Sequence, residues 1–174
     1  MKHAIGRLLA MIALAAQALP GQGALVAGIP LPDALPAPGM RLALNGAGVR
    51  HYYGFRVYVA ALYLPAATRH AERVLASDTP RRLRLTLLRD LSTQRHADAL
   101  LDGMRDNHSA EEMSALKPEL ERCLAMLRDL RDIAAGAVID FDYQPGSGTA
   151  IILDGRLLGH IAGERFNRAL LRIW

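Results

Sequence analysis

The sequence is poor in cysteine, and its histidines are scattered. Cys123 is the only cysteine among 174 residues, so no disulfide can form within one chain. It stands in the apolar stretch 120–127, where a cysteine is typical of a small core residue on a helix. No two histidines have the spacing of metal ligands on one helix face. We therefore expect neither a metal site nor a cofactor.

Lysine is also scarce, and the excess of positive charge is small. Lys2 and Lys117 are the only lysines, and the remaining basic residues are arginines, which we attribute to genome composition. The chain has 21 basic and 17 acidic residues. Removal of a leader that contains Lys2 and Arg7 would leave 19 basic residues against 17, a net charge of +2. Such a balance gives no electrostatic argument for a nucleic-acid partner.

Long apolar runs are missing, and the most apolar segment lies at the start of the chain. Three basic residues among the first seven precede the apolar run 8–16, which is too short to span a bilayer comfortably. Ala16-Gln17-Ala18 is a small-x-small cleavage motif. The pattern predicts a signal peptide over 1–24, cleaved within about 18–24, followed by one domain over 25–174. We expect an exported, periplasmic protein; an uncleaved membrane anchor is the alternative.

The periodicity of apolar residues predicts strands, then helices, then strands and a last helix. We expect an extended, irregular lead-in at 28–39, strands at about 41–46 and 51–64, a helix at 68–76 capped by Thr68, and a strand through Leu83, Leu85 and Leu87. Helices follow at 93–106, capped by Ser92, from Ser109 to Lys117, opened by a capping box of Ser109 and Glu112, and from Pro118 to Ala135, stopped by Gly136. Strands come next through 138–143, 150–153 and 157–161, the last two joined by an Asp154-Gly155 turn, and the chain closes with a helix at 164–173 whose apolar residues, with Trp174, dock on the core. This order is typical of an α+β fold in which helices gather on one face of an antiparallel sheet.

One arginine stands at a position where it could recognise an anion. We interpret 44–50 as a glycine-bearing turn that places Arg50 just before the long apolar strand 55–64. Strict alternation along that strand would put Tyr58 on one face and Phe55 and Val57 on the other. Beyond Tyr58 both faces are apolar, which predicts burial on both sides. Arg50 and Tyr58 are thus candidate ligand-binding residues beside an apolar pocket.

The order and spacing of several segments resemble the chalcone isomerase superfamily, specifically its bacterial branch of exported chalcone isomerase-like proteins. The resemblance covers about 26–174, and the segments that carry it are 44–50, 55–64, 89–92, 106–109, 145–149 and 159–174. It implies an open-faced β-sandwich, in which a layer of helices covers one face of a large antiparallel sheet and a ligand cleft lies between the layers.

The resemblance also allows the family's functional positions to be compared with this chain. Arg50 matches the arginine of the isomerases' Gly-Ala-Gly-x-Arg turn. Tyr58 stands in the place of a threonine, His96 in that of a tyrosine and Gly103 in that of an asparagine. Because one position of four is kept, the main hypothesis is a non-catalytic protein that binds a small amphipathic acid, either fatty-acid-like or aromatic.

Two further hypotheses come from the same superfamily. The first is an intramolecular lyase that closes chalcone-like phenolic enones, with Arg50 stabilising the enolate and His96 as a candidate acid or base. The second is an envelope interaction module or haem-binding accessory protein, although no axial-ligand motif is visible. Whether the protein is an enzyme, and which protein partners it has, is left open by the sequence.

The signal-peptide interpretation predicts the mass of the exported protein. We expect the intact mass of protein recovered from the periplasm to correspond to a chain that starts between residues 19 and 25. Leu14→Arg interrupts the apolar run and should leave the full-length chain in the cytoplasmic fraction. A full-length mass in the membrane fraction would instead indicate an uncleaved anchor.

Overall fold

The computed structural model describes residues 23–52, 54–128, 130 and 132–174. The predicted signal peptide lies outside the described residues up to position 22, and nothing in the structure bears on its cleavage. Among the described residues, no helix combines the length and the apolar character needed to cross a membrane.

The central layer is a seven-stranded antiparallel sheet whose strands are neighbours in chain order. A separate two-stranded sheet precedes it. The strands are β1 (Ala24–Val26) and β2 (Ile29–Leu31) in the small sheet, and β3 (Ala34–Ala37), β4 (Met40–Tyr52), β5 (Phe55–Leu64), β6 (Arg81–Leu87), β7 (Val138–Gln144), β8 (Gly148–Leu153) and β9 (Arg156–Ala162) in the large one.

The described residues also form four helices, and the larger ones cover one face of the sheet. They are α1 (Ala71–Ala76), α2 (Thr93–Asn107), α3 (Ala110–Arg128) and α4 (Arg165–Leu171). Apolar residues of the last three helices form one core with Leu85, Phe141 and Ile151 of the sheet. The fold is therefore α+β with helices on one face of an antiparallel sheet, as the periodicity predicted.

A second, smaller core lies on the opposite face of the sheet. Leu31, Leu35 and Leu42 pack there against Val59 and Tyr63 of β5. The segment 28–39 is extended as predicted, but the prediction that it is irregular was wrong, because it pairs into β2 and β3. Since β5 supplies residues to both cores, its predicted burial on both sides beyond Tyr58 is confirmed.

The segment 44–50, which we interpreted as a turn, is the middle of a continuous strand. β4 runs without a break from Met40 to Tyr52 and pairs with β5 from Ala43 to Tyr52. Gly46 and Gly48 do not adopt a positive φ, so their presence does not bend the chain. The reversal comes after β4, where Gly54 has a φ of 80°.

Pro118 does not interrupt the helical region, contrary to the sequence prediction. α3 continues through it, because its apolar residues share one buried face on both sides of the proline, including Leu116, Leu120 and Leu124. That burial outweighs the one backbone hydrogen bond that a proline removes. The capping box is confirmed: Ser109 N donates to Glu112 Oε2 at 2.9 Å, and Glu112 N donates to Ser109 Oγ at 3.2 Å.

Two other predicted helix boundaries were also wrong. α3 ends at Arg128 rather than Ala135, because Ile133 instead pairs with Leu91 in an isolated antiparallel bridge. Gly136 therefore belongs to the turn before β7, where its N–H donates to the carbonyl of Leu87. α1 begins at Ala71 with no side-chain cap, and Thr68 accepts a hydrogen bond from His70 N just before it.

A buried arginine joins α1, β6 and α4. Arg81 is 1% exposed. Its Nε donates to Asn167 Oδ1 at 2.6 Å, and its Nη1 donates to the carbonyls of Val74 and Ser77, each at 2.9 Å. The guanidinium also lies over the ring of Tyr143, 4.6 Å from its centroid. These bonds fix α4, which leads directly into the C-terminal residues that border the cavity described below.

This arrangement predicts a large loss of stability when Arg81 is truncated. Arg81→Leu leaves three acceptors without their donor, two of them in buried hydrogen bonds, and should lower the free energy of unfolding by about 3 kcal/mol or more. Arg165→Leu removes an exposed ion pair with Glu119 and should cost no more than about 1 kcal/mol. Equal losses in urea unfolding of the two variants would contradict the role assigned to Arg81.

Candidate functional site

The two residues singled out from the sequence are paired on adjacent strands. Arg50 of β4 lies directly opposite Tyr58 of β5 in the antiparallel register. Both side chains border one cavity between the sheet and the helices. Backbone pairing therefore holds Arg50 and Tyr58 next to each other, and their relative position has little freedom to change.

A one-residue bulge on β5 decides which other residues reach this cavity. Arg50 is paired with Tyr58 and His51 with Arg56, so Val57 is the extra residue. The bulge reverses the alternation of side chains at this point, and Phe55 and Val57 line the cavity together with Tyr58. The prediction that Phe55 and Val57 face away from Tyr58 was therefore wrong, because strict alternation ends at a bulge.

The cavity has a volume of about 440 Å³ and a mostly apolar wall. The sheet forms its floor, α2 with the segment before it forms one side, and the C-terminal residues form another. The apolar lining residues are Phe55, Val57, Leu85, Leu91, Ala99, Leu100, Phe141, Ile173 and Trp174. A volume of this size is within the usual range of about 300–1,000 Å³ for small-molecule sites.

The charged groups of the wall are three arginines and one aspartate. The guanidinium groups of Arg50, Arg89 and Arg95 form no ion pair or hydrogen bond with any described residue, although that of Arg89 lies 4.7 Å from the centre of the Phe55 ring. The Asp98 carboxylate accepts a hydrogen bond from Gln94 Nε2 at 2.8 Å. The cavity thus combines an apolar interior with cations that lack a protein counter-ion.

Tyr58 contributes a neutral hydrogen-bond donor to the cavity. Burial raises the pKa of Tyr58 to about 12, although the nearby Arg50 cation and the Trp174 indole act to lower it. The phenol therefore keeps its proton throughout the neutral range and can donate to an anion. Because the pKa of Tyr58 is higher in the folded chain than in the unfolded one, the protonated phenol favours the folded state. This contribution to stability is complete below about pH 10 and is lost as the pH rises toward 12.

Trp174 closes the cavity beside Tyr58. The two rings meet edge to face, with centroids 6.2 Å apart and planes inclined by 64°. The indole Nε1 of Trp174 is buried. Although it lies near Tyr58, it has no hydrogen-bond partner in the described part of the chain. The expectation that the apolar C-terminal residues dock on the core is confirmed.

Gly103 makes room for this docking. A Cβ at position 103 would lie 2.9 Å from Ile173 Cγ2, so only glycine allows α2 to approach Ile173 as it does. The space in which the related isomerases are expected to place an asparagine is therefore filled by an apolar contact.

His96 and Cys123 are the remaining candidates from the sequence. His96 lies in α2, but its side chain lies outside the described part of the structure, and its suggested acid–base role stays a prediction. Cys123 is fully buried on α3, and burial raises its thiol pKa to about 12, which confirms a core residue. Within the described residues, no three His, Cys, Asp or Glu side chains are grouped to hold a metal ion.

Three lining residues were missed as site candidates in the sequence: Arg89, Arg95 and Trp174. Arg89 follows β6, Arg95 is in the first turn of α2, and neither is near Arg50 in the chain. Arginine is common in this sequence, so residue type gave no signal. Only the packing of α2 and the C-terminal segment against the β4–β5 pair brings the three into one cavity.

Comparison with known proteins supports the same fold class. A family model described as chalcone isomerase-like matches residues 23–174. This range includes both sheets, all four helices and every described residue of the cavity. The chain belongs to the chalcone isomerase-like family.

A solved structure shows the same architecture at low sequence identity. The crystal structure of a fatty-acid binding protein from Arabidopsis thaliana superposes with a TM-score of 0.65 and 15% identity, covering 87% of this chain and 86% of that chain. At this identity the similarity establishes the fold. A search among curated proteins finds no match.

The contact between Gly103 and Ile173 predicts how the cavity wall can be displaced. Gly103→Leu should move Ile173 and Trp174, lower the free energy of unfolding by about 1–3 kcal/mol and shift the fluorescence of Trp174, the only tryptophan, to longer wavelength. Gly46→Leu is the matched control, since a Cβ there meets no atom within 4 Å. An unchanged emission spectrum in Gly103→Leu would contradict the close contact.

Proposed function

We propose that this protein binds a small amphipathic acid, without transforming it, in the cavity between the sheet and the helices. The observation that carries the proposal is the apolar cavity whose wall includes three arginines that form no ion pair with any described residue. The apolar body of the ligand lies on the sheet floor, and its carboxylate lies at Arg50.

The recognition chemistry follows from the side chains at Arg50. A guanidinium offers parallel donors that match the two oxygens of a carboxylate. Tyr58 stays protonated at neutral pH and adds a neutral donor from the neighbouring strand. The apolar wall excludes water from this contact, which strengthens the interaction between the charges.

The wall accommodates either an acyl chain or an aromatic ring. Val57, Leu85 and Leu100 are aliphatic, whereas Phe141 and Trp174 offer ring surfaces. The structural similarity to a fatty-acid binding protein supports a long-chain acid as the first ligand to test.

Binding is better supported than isomerisation or haem binding. An isomerase needs several polar groups around the reacting ketone and phenol, yet the Gly103 position is filled by Ile173. The described cavity residues include no histidine, cysteine or methionine, which are common axial ligands of haem, and burial keeps the Tyr58 phenol protonated at neutral pH by raising its pKa to about 12.

We further propose that the protein acts in the periplasm. This rests on the basic start, apolar run and cleavage motif within residues 1–24. Purification from that compartment is therefore the right source for the natural ligand.

Native mass spectrometry of the periplasmic protein tests the proposal directly. We expect one amphipathic acid per chain, released by denaturation and identified by its mass. Titration of the ligand-free protein with fatty and aromatic acids should change Trp174 fluorescence, because the indole borders the cavity. The corresponding alcohols lack the charge and should bind far more weakly.

Replacement of Arg50 should remove most of the affinity for the carboxylate. Loss of a hydrogen bond to a charged group costs about 1.5–3 kcal/mol, so Arg50→Gln should weaken binding roughly 10- to 100-fold. Arg122→Gln, on the exposed face of α3, is the matched control and should bind as the wild type does. Equal affinities of Arg50→Gln and wild type, or chalcone cyclisation faster than the solution background, would overturn the proposal.

A further inference from the structure

The tip of the β4–β5 hairpin presents aromatic and cationic side chains around the mouth of the cavity. We propose that this tip docks on the surface of an anionic lipid bilayer. Phe55 is 60% exposed and Tyr52 is 47% exposed, and they are paired across the two strands. They are two of the five large hydrophobic residues that are exposed in the described part of the chain.

The charges around this tip favour an anionic partner. Arg56 is exposed on β5, and Arg89 and Arg95 are exposed beside Phe55 on neighbouring segments. None of the three forms an ion pair with a described residue. Within the described residues, the nearby carboxylates form no ion pair with these arginines: Asp90 Oδ1 accepts a hydrogen bond from Ala135 N at 2.8 Å, and Asp98 accepts one from Gln94. The surface therefore has cations available for external phosphates.

The combination of residue types selects a bilayer rather than a protein. Aromatic rings insert at the level of the lipid headgroups, and arginine stems reach outward so that the guanidinium meets phosphate. Each arginine near an anionic membrane adds attraction in proportion to the surface charge. The Arg89 guanidinium lies over the Phe55 ring in a cation–π contact, so a cation and an exposed aromatic ring are adjacent on this surface.

Docking in this orientation places the cavity mouth on the bilayer. Arg50, Phe55 and Arg89 line the cavity and also lie at or beside the hairpin tip that would contact the bilayer. An amphipathic acid could then pass between membrane and cavity without crossing bulk water. This transfer of an acid between membrane and cavity rests on the proposed function, whereas docking on the bilayer does not.

Vesicle sedimentation tests docking without any added ligand. The probes are vesicles of phosphatidylcholine alone and vesicles that also contain phosphatidylglycerol. We expect binding to the anionic vesicles. Salt should weaken this binding, because it screens the attraction between the arginines and the lipid phosphates. Phe55→Ser should reduce the affinity about tenfold or more, and Arg56→Gln about fivefold.

Two variants on another part of the surface are the matched controls. Leu157 is 61% exposed on β9 and is adjacent to the exposed Arg156. Leu157→Ser and Arg156→Gln should bind vesicles as the wild type does. All variants are purified from the same compartment, so that they share one N-terminus and differ only at the named position.

Several results would overturn the docking proposal. Equal binding to neutral and anionic vesicles would do so, as would equal losses in the control variants. Concentration-dependent dimerisation that Phe55→Ser abolishes, without vesicle binding, would assign the tip to a second copy of the chain. Ligand affinity separates the two proposals: Arg56→Gln lies outside the cavity wall and should change vesicle binding but not acid binding.

Discussion

The pairing of β5 with β4 is the constraint on which both cores and the cavity depend. β5 is buried on both faces, with Val59 and Tyr63 in the small core and Tyr58 and Ala60 in the helical one. A strand in this position cannot slide by one residue without turning both sets of side chains to the wrong side. The β4–β5 pairing contains two register shifts, one at Asn45 on β4 and one at Val57 on β5, and the burial of both faces fixes them in place. The first is held by Thr68 N, which donates to Asn45 Oδ1 at 2.7 Å.

Charge is arranged differently on the two faces of the sheet. Away from the helices, Arg82 and Arg84 lie directly opposite Asp142 and Asp140 on the next strand, and each forms an ion pair there. These arginines are neutralised within the fold and have a structural role. The cavity wall instead carries three arginines that form no ion pair with any described residue. The same residue type thus stabilises the sheet at one place and is available to a ligand at another.

The candidate site was predictable in part. Arg50 and Tyr58 could be named because the apolar strand and the family resemblance both point to them, and backbone pairing then places them side by side. Phe55 and Val57 were assigned to the wrong face, because a bulge leaves no mark in the pattern of apolar residues. Arg89, Arg95 and Trp174 come from segments distant in the chain and meet Arg50 only through packing. Gly103 was expected at a polar position, and its use as a space for Ile173 depends on the approach of two segments.

The sequence by itself determined the fold class, most strands, the capped starts of α2 and α3, and the Asp154-Gly155 turn, where both residues have positive φ. These features depend on contacts between near neighbours and on the local alternation of apolar residues. Tertiary structure decided the continuity of β4 through its glycines and of α3 through Pro118, since burial against other elements outweighs local preference. It also decided the composition of the cavity. A site built from β4, β5, α2 and the C-terminal segment depends on non-local packing, which local sequence patterns do not encode.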